Sequence, residues 1–331
     1  MPLTLLVPDL LHPDGAPDAL RGLRLPGLER VLGLATLSRE PSGARDALFG
    51  HFGIAPGSAC APFTARAAGL EDPGRWFRAD PVHLRIERDA LVLHDAAVLG
   101  LTRAEADEAA SALGDFFGTD GIRIVATDPH RWHASAPAGE APSAPDLDAM
   151  TGRNPFGHLP SGGGRLRWAS MLSEAQMLLS GLALNAAREA RGAPALNGLW
   201  FWGAGEEASP SRSPAAVHGE DPLVRGLALA AGLVPAPLPD SLARLPARPG
   251  DDILVHLDSP AQALRRADSA AWREAALELD RRWFADLARL AGAHGGIRIE
   301  LPAAGATLVA NLGASDRLRF WRRPRRLDGL A

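Results

Sequence analysis

The 331-residue chain contains no lysine and no tyrosine, so all 35 of its basic residues are arginines. Without lysine there is no Schiff base, no pyridoxal-phosphate anchor and no phosphate-loop lysine. Without tyrosine one possible general acid is gone. A single cysteine, Cys60, excludes intrachain disulfides and Cys-x-x-Cys zinc or redox sites, and it points to a reducing compartment. Gly57, Ser58 and Pro62 flank it and no histidine adjoins it, so it reads as a structural thiol. Asparagine occurs four times and isoleucine seven, while alanine, glycine, proline and arginine abound. Those abundant residues have G/C-rich codons, and genome bias is the simplest source of the pattern.

Long apolar runs are also missing. The longest stretch free of Asp, Glu, Arg and His, Leu301–Ser315, is 15 residues long and carries Pro302, Gly305 and Gly313. That falls short of the roughly 20 apolar residues a membrane span needs. The start, MPLTLLVPDLLHPDG, has no basic segment and reaches Asp9 too early for a secretory signal. The expectation is a cytoplasmic protein with no membrane association. A formal net charge of −4 argues against a general nucleic-acid binder.

What is present reads as alternating strands and helices. Leu3–Val7 is a short apolar run closed by Pro8-Asp9, as in a buried parallel strand. A helix broken early by Pro26 is expected after it, to about Ala35, and a shorter one over Ser42–Phe52. Pro81–Ile86, Ala90–His94 and Ile122–Ala126 read as strands. Thr102 and Glu105 form a capping-box pattern for a helix to about Phe117. Ala134–Pro145 is the best linker candidate. Arg167–Arg191 and Pro260–Ala291 read as two long helices, and Leu199–Trp202, Asp252–Leu257, Ile297–Leu301 and Ala306–Leu312 as strands. The fold class expected is α/β, a mostly parallel sheet sandwiched by helices with an inserted small α/β domain. The expected boundaries are a discontinuous core of 1–60 and 160–331, an insertion of 75–134 and a linker of 135–159.

In such a sheet chemistry gathers at the carboxyl ends of strands. Four ends are legible: Val7-Pro8-Asp9, Trp202 to Glu207, Val255-His256-Leu257-Asp258 and Ile299-Glu300-Leu301. Their acids and histidine could ligate divalent metals, or cap strand-to-helix loops. Asp128 to His133 reads as a surface turn and Gly162-Gly163-Gly164 as a flexible helix entry. The segment 317–326 holds six arginines with Phe320 and Trp321, and without it 29 arginines face 39 acids. It reads as docking on an acidic body of its own fold or a partner subunit, with phosphate or nucleic-acid contact as the alternative.

The densest string runs from Asn185 to Gly205. Its Asn185, Arg188, Gly192, Pro194, Asn197, Trp202, Gly203 and Gly205 resemble the archaeal-type cofactor-independent phosphoglycerate mutases of the alkaline phosphatase superfamily. LLVPDLLHPDG resembles that family's opening strand and aspartate, LTRAEADEAASALGDFFGTDGIRI its inserted domain, and ILVHLDSP the strand before two metal ligands. The resemblance covers most of the chain. It implies a serine nucleophile that takes a phosphoryl group, with two divalent metals, Mn or Mg, holding serine and phosphate.

By that resemblance the candidate residues are Ser42 as nucleophile, Asp9, His256 and Asp258 toward metal, and Asn185, Arg188 and Asn197 toward ligand. The remaining positions depart from the family. Leu10 replaces a glycine, and Ser42 is one residue out of register. The expected aspartate and histidine after His256 fall near Ala261 and Arg265, and the Asp-His pair after Glu300 becomes Leu301-Pro302. Residues 233–251 lack the lysine-bearing motif. The chain therefore resembles a degenerate bacterial branch, akin to pathogenicity-factor regulatory proteins of the E type. The expectation is a binding or regulatory protein without cofactor, whose partner is a phosphorylated small molecule or a protein. The alternative is a metal-dependent mutase or phosphatase with a remodelled site using Ser42.

Overall fold

A computed structural model of the chain describes all residues except 1–2, 12–19, 88–89, 139, 163–167, 247–250, 293, 304, 320, 328–329 and 331; for Pro73 and Arg317 it describes the backbone alone. In chain order the principal elements begin with β1 (Leu3–Leu6), α1 (Pro26–Leu34), β2 (Thr36–Glu40), α2 (Ala44–His51) and α3 (Ala61–Ala67). Next come β3 (Trp76–Glu87), β4 (Ala90–Asp95), α4 (Arg103–Phe117), β5 (Arg123–Asp128), β6 (Arg131–Ser135), α5 (Trp168–Ser180), α6 (Ala183–Ala190) and β7 (Gly198–Trp202). The chain continues through β8 (Ala216–His218), α7 (Pro222–Ala230), β9 (Ile253–His256), α8 (Ser259–Arg265), α9 (Ser269–Leu279), β10 (Ile297–Ala303) and β11 (Ala306–Leu312).

The chain divides into two units, residues 1–57 with 209–331, and residues 58–208. This differs from the expected boundaries, which gave 160–208 to the core. The reason is β7, which pairs antiparallel with β3 from Arg78↔Trp202 to Val82↔Gly198. The segment 135–159 is likewise not a free linker. It includes the end of β6 and a short helix, Leu147–Met150, and Ser143 bridges to Ser161.

The first unit holds a six-stranded sheet of order β2-β11-β10-β1-β9-β8. β10, β1, β9 and β8 run parallel, and β11 is antiparallel to both β10 and β2. Strand residues point alternately to the two faces. Leu3, Leu5, Val7, Ile253, Val255, Ile297, Ile299 and Leu301 enter the main apolar core with Leu28, Val31 and Leu32 of α1 and Trp272 of α9. The other face carries Thr4, Leu6, His256, Arg298, Glu300 and Thr307. Pro26 is the first residue of α1, where its fixed φ and missing N–H suit the helix, so it starts the helix that it was expected to break. Leu25 offers no side-chain cap, and Asp280 supplies one by accepting from Gly27 N–H at 3.1 Å and Leu28 N–H at 2.9 Å.

Two long helices of the sequence reading are broken. α8 ends before Ala267, which adopts φ 54°, and the Asp268 side chain then caps α9. A π turn, Asp280–Phe284, follows α9. In the second unit, Gly181 and Leu182 separate α5 from α6. That unit's five-stranded sheet is antiparallel throughout, and its core is built on Phe77, Leu113, Trp132, Trp168 and Phe201. The capping box of α4 forms as its sequence predicts. Among the described residues no helix is long and apolar enough to cross a membrane.

Candidate functional site

Sheet topology fixes one end of the first unit as the place to look. β2 is antiparallel to β11, which is antiparallel to β10, so β2 points the same way as the parallel strands. Ser42 after β2, Asp9 after β1, His218 closing β8, and His256 and Asp258 at β9 therefore share one sheet edge, where open α/β sheets bind ligands. The Trp202 end does not belong there, because β7 lies in the antiparallel sheet of the second unit.

Along that edge each candidate is differently held. Asp9 sits in the left-handed region at φ 56°. Its N–H donates to Pro302 O at 3.0 Å and its carbonyl accepts from Trp272 Nε1 at 2.9 Å. His256 is buried, and a Cβ placed on Gly219 would lie 3.1 Å from its own Cβ, so a side chain at Gly219 would crowd it. Asp258 is buried and accepts from Gln262 Nε2 at 2.8 Å. Ser42 is held by β11: its hydroxyl donates to Thr307 Oγ1 at 3.3 Å, and Thr307 donates to the Ser42 carbonyl at 2.7 Å.

Spacing then decides what can work together. Thr307 lies on β11 and His256 on β9, three strand intervals apart. At about 4.8 Å per interval that is about 14 Å, whereas paired catalytic metals sit about 3.5–4 Å apart. Ser42 and His256 could share a metal pair only through side chains that reach toward each other across that gap. Among the described residues no group of three or more His, Cys, Asp or Glu side chains is arranged to hold a metal ion. Asp9, His256 and Asp258 share the edge without forming a ligand set, and Ala261 and Arg265 add no donor of the right kind. Among the described residues these side chains do not assemble the ligand set of a two-metal centre.

The polar face just inside this edge carries an ion network that sequence reading missed. Glu300 is buried and accepts from His51 Nε2 at 2.9 Å and from Arg298 Nε. Arg298 also pairs with Glu40 at 2.8 Å. Burial pushes the Glu300 carboxyl up, but His51 and Arg298 outweigh it and hold the group below its ordinary range. The only sequence signal was that Arg298 and Glu300 alternate on one strand face.

In the second unit the three residues expected to bind ligand are spent on backbone. Asn185 Nδ2 donates to Leu179 O and Leu196 O, both at 2.7 Å, and its Oδ1 accepts from Leu196 N–H at 2.8 Å. Asn197 accepts from Leu84 N–H at 2.7 Å and donates to Leu84 O at 2.8 Å, acting as a strand partner to β3. Arg188 is wholly buried and donates to Pro194 O, Leu99 O and Glu105. Burial raises the Glu105 carboxyl, but bonds from Thr102, Arg191 and Arg188 bring it down to about 2. The string Asn185–Gly205 thus joins α6, β7 and β3 through the bonds of its polar side chains.

The remaining motifs resolve similarly. Asp128–His133 is the turn and second strand of a β5–β6 hairpin, with Trp132 and His133 buried. His133 Nε2 lies 2.8 Å from Thr64 Oγ1 and its Nδ1 3.0 Å from Thr127 Oγ1. Burial, helped by Arg78 and Arg131, holds its pKa near 2, so the ring is neutral. Asp80 accepts from Arg78, Trp132 N–H at 3.0 Å and Trp202 Nε1 at 2.7 Å. Cys60 is buried under Gly203, where a Cβ would lie 3.0 Å from its sulfur. Of the glycine run, Gly163 and Gly164 lie outside the described residues. The arginine-rich segment docks on α1. Arg325 N–H donates to Glu29 O at 2.9 Å, Arg30 donates to Arg322 O at 3.1 Å, and a Cβ on Gly33 would lie 2.3 Å from Arg323 O.

Comparison with known proteins places this geometry. No protein-family model matches the chain. A probable 2,3-bisphosphoglycerate-independent phosphoglycerate mutase of Geobacter sulfurreducens is 27% identical over 241 residues, which cover 66% of this chain. The match spans 60% of that relative's length. The PH0037 protein of Pyrococcus horikoshii superposes with a TM-score of 0.53 at 15% identity, over 99% of this chain and 92% of that one. A cofactor-independent phosphoglycerate mutase of Thermoplasma acidophilum gives 0.49 at 16% identity, over 100% and 95%. In sequence the chain is similar to a probable 2,3-bisphosphoglycerate-independent phosphoglycerate mutase, and its α/β fold is similar to that of the PH0037 protein.

Proposed function

We propose that this protein is a phosphoglycerate-mutase-like chain that has lost two-metal phosphoryl transfer and acts as a binding or regulatory protein. Its partner is a phosphorylated small molecule or a protein, met in the cytoplasm. The supporting observation is the donor set at the carboxyl edge. Ser42 is tied to Thr307 about three strand intervals (~14 Å) from His256, and Glu300 is already bonded to His51 and Arg298. A serine without nearby metals or a base is a weak nucleophile. The similarity to a probable mutase supports phosphorylated carboxylic acids as the ligand class.

The test is a phosphoglycerate mutase assay with and without added manganese or magnesium, run beside calorimetric titration with 3-phosphoglycerate. Binding without turnover is expected. Metal-dependent turnover that disappears in Ser42→Ala would establish the enzyme reading instead.

A further inference from the structure

The β3–β4 hairpin of the second unit carries two histidines that no part of the proposed function uses. His83 and His94 are directly opposed in the antiparallel register, so their side chains leave the same sheet face. Their ring centroids are 6.2 Å apart with planes tilted by 37°. Each ring is already oriented by an acceptor. His83 Nδ1 lies 2.8 Å from Ala195 O, and a carbonyl can only accept, so Nδ1 carries the proton and Nε2 the lone pair. His94 Nε2 lies 3.0 Å from Glu87 Oε1, which likewise puts the proton on Nε2 and the lone pair on Nδ1. Neither lone-pair nitrogen has a hydrogen-bond partner among the described residues.

That is how metal-binding imidazoles are prepared: one nitrogen fixed by a carbonyl or carboxylate, the other left as donor. The separation fits as well. With metal–nitrogen bonds of about 2.0–2.1 Å, two imidazoles on one ion place their ring centres about 5–6 Å apart. A small side-chain adjustment therefore closes the pair on a shared ion.

We propose that His83 and His94 form a two-imidazole chelate for a borderline late first-row divalent ion, copper, nickel or zinc, with Glu87 as the positioning carboxylate and solvent completing the coordination. Imidazole donors select these ions over magnesium and calcium, which require oxygen. Burial, with nearby Arg85 and Arg188, holds His83 below the ordinary histidine range. Arg85 and Arg188 oppose a cation here, and Glu87 offsets part of that.

The test is isothermal titration of the full, untagged chain with zinc, nickel and copper chlorides, with magnesium chloride as competitor. One saturable equivalent is expected, unaffected by magnesium. His83→Gln and His94→Gln should each weaken it at least tenfold, and Glu87→Gln by about tenfold through loss of the orienting carboxylate. Because His83 also anchors Ala195, circular dichroism checks each variant. If His83→Gln fails to fold, His94→Gln decides alone. Binding that does not saturate at millimolar ion, or that survives His94→Gln unchanged, would overturn the site.

Discussion

The two units spend their buried polar groups in opposite ways. In the second unit Asn185 and Asn197 bond backbone groups, and Arg188 and Asp80 divide their bonds between backbone and the side chains of Glu105, Arg78 and Trp202. In the first unit Glu300 is met mainly by side chains from elsewhere in the chain, His51 of α2 and Arg298 of β10, beside an edge that carries Asp9, His256 and Asp258. A polar side chain bonded to backbone is fixed by the fold and fixes it in turn. One bonded to another side chain can exchange partners. The second unit's motif residues are therefore read as structural, and the proposed function puts its ligand at the first unit's edge.

The sharpest break of that contrast is Arg188→Ala. It strips a wholly buried guanidinium from two carbonyls and from Glu105. Removing one member of a buried pair costs about 3–5 kcal/mol. Urea unfolding should show the second unit's transition shifting by that amount or vanishing. A variant with wild-type stability and altered ligand binding would return Arg188 to the ligand-binding role. Asn185→Ala should follow, at about 2–3 kcal/mol, because it leaves two carbonyls and one N–H of the α5–β7 connection without their partner.

Proton linkage sharpens the comparison further. His133, held near 2 in the fold, has an ordinary value of 6.5, so the unfolded chain binds the extra proton first. Its depressed value means stability is complete above about pH 6.5 and falls as pH drops below it. Glu105, also near 2 against 4.5, adds a second loss that begins only below about pH 4.5. Thermal melts between pH 7.5 and 5 should therefore decline in wild type and stay flatter in His133→Gln. An unchanged slope in that variant would mean that the first unit carries the acid sensitivity.

Why the sequence exposed some of this and hid the rest follows from the range of each interaction. The Thr102–Glu105 cap, the apolar strands β1, β9 and β10, and the alternation that implies a parallel sheet are local, so short windows reveal them. The cap that Asp280 places on α1, and the pairing of β7 with β3 that moves residues 160–208 into the second unit, join positions far apart and leave no local trace. The short strands β2 and β8 were hidden because they are polar or brief. At the site, Asp9, His256 and Asp258 were visible as strand ends, whereas His51 and Arg298 were not, since nothing in their neighbours announces Glu300. The resemblance carried by Asn185–Gly205 pointed to the right fold. The backbone bonds that Arg188 makes to Leu99 and Asn197 to Leu84 were not legible, because they join positions far apart in the chain.

The smallest expected effect is at Ser42. Its hydroxyl makes one long bond to Thr307 Oγ1 at 3.3 Å, while the shorter bond from Thr307 goes to the Ser42 carbonyl and survives truncation. Ser42→Ala should therefore cost about 0.5–1 kcal/mol, at the low end for a hydrogen bond, and leave 3-phosphoglycerate binding within twofold of wild type by calorimetry. Thr307→Val is the informative partner. It removes the donor to the Ser42 carbonyl and leaves a buried acceptor unmet, so it should cost more than Ser42→Ala, about 1–3 kcal/mol. If the order is reversed, or if Ser42→Ala alone abolishes ligand binding, then the Ser42 hydroxyl faces ligand and not β11. In that event the first unit's edge holds a working nucleophile, and the contrast between the two units becomes one between chemistry and scaffold.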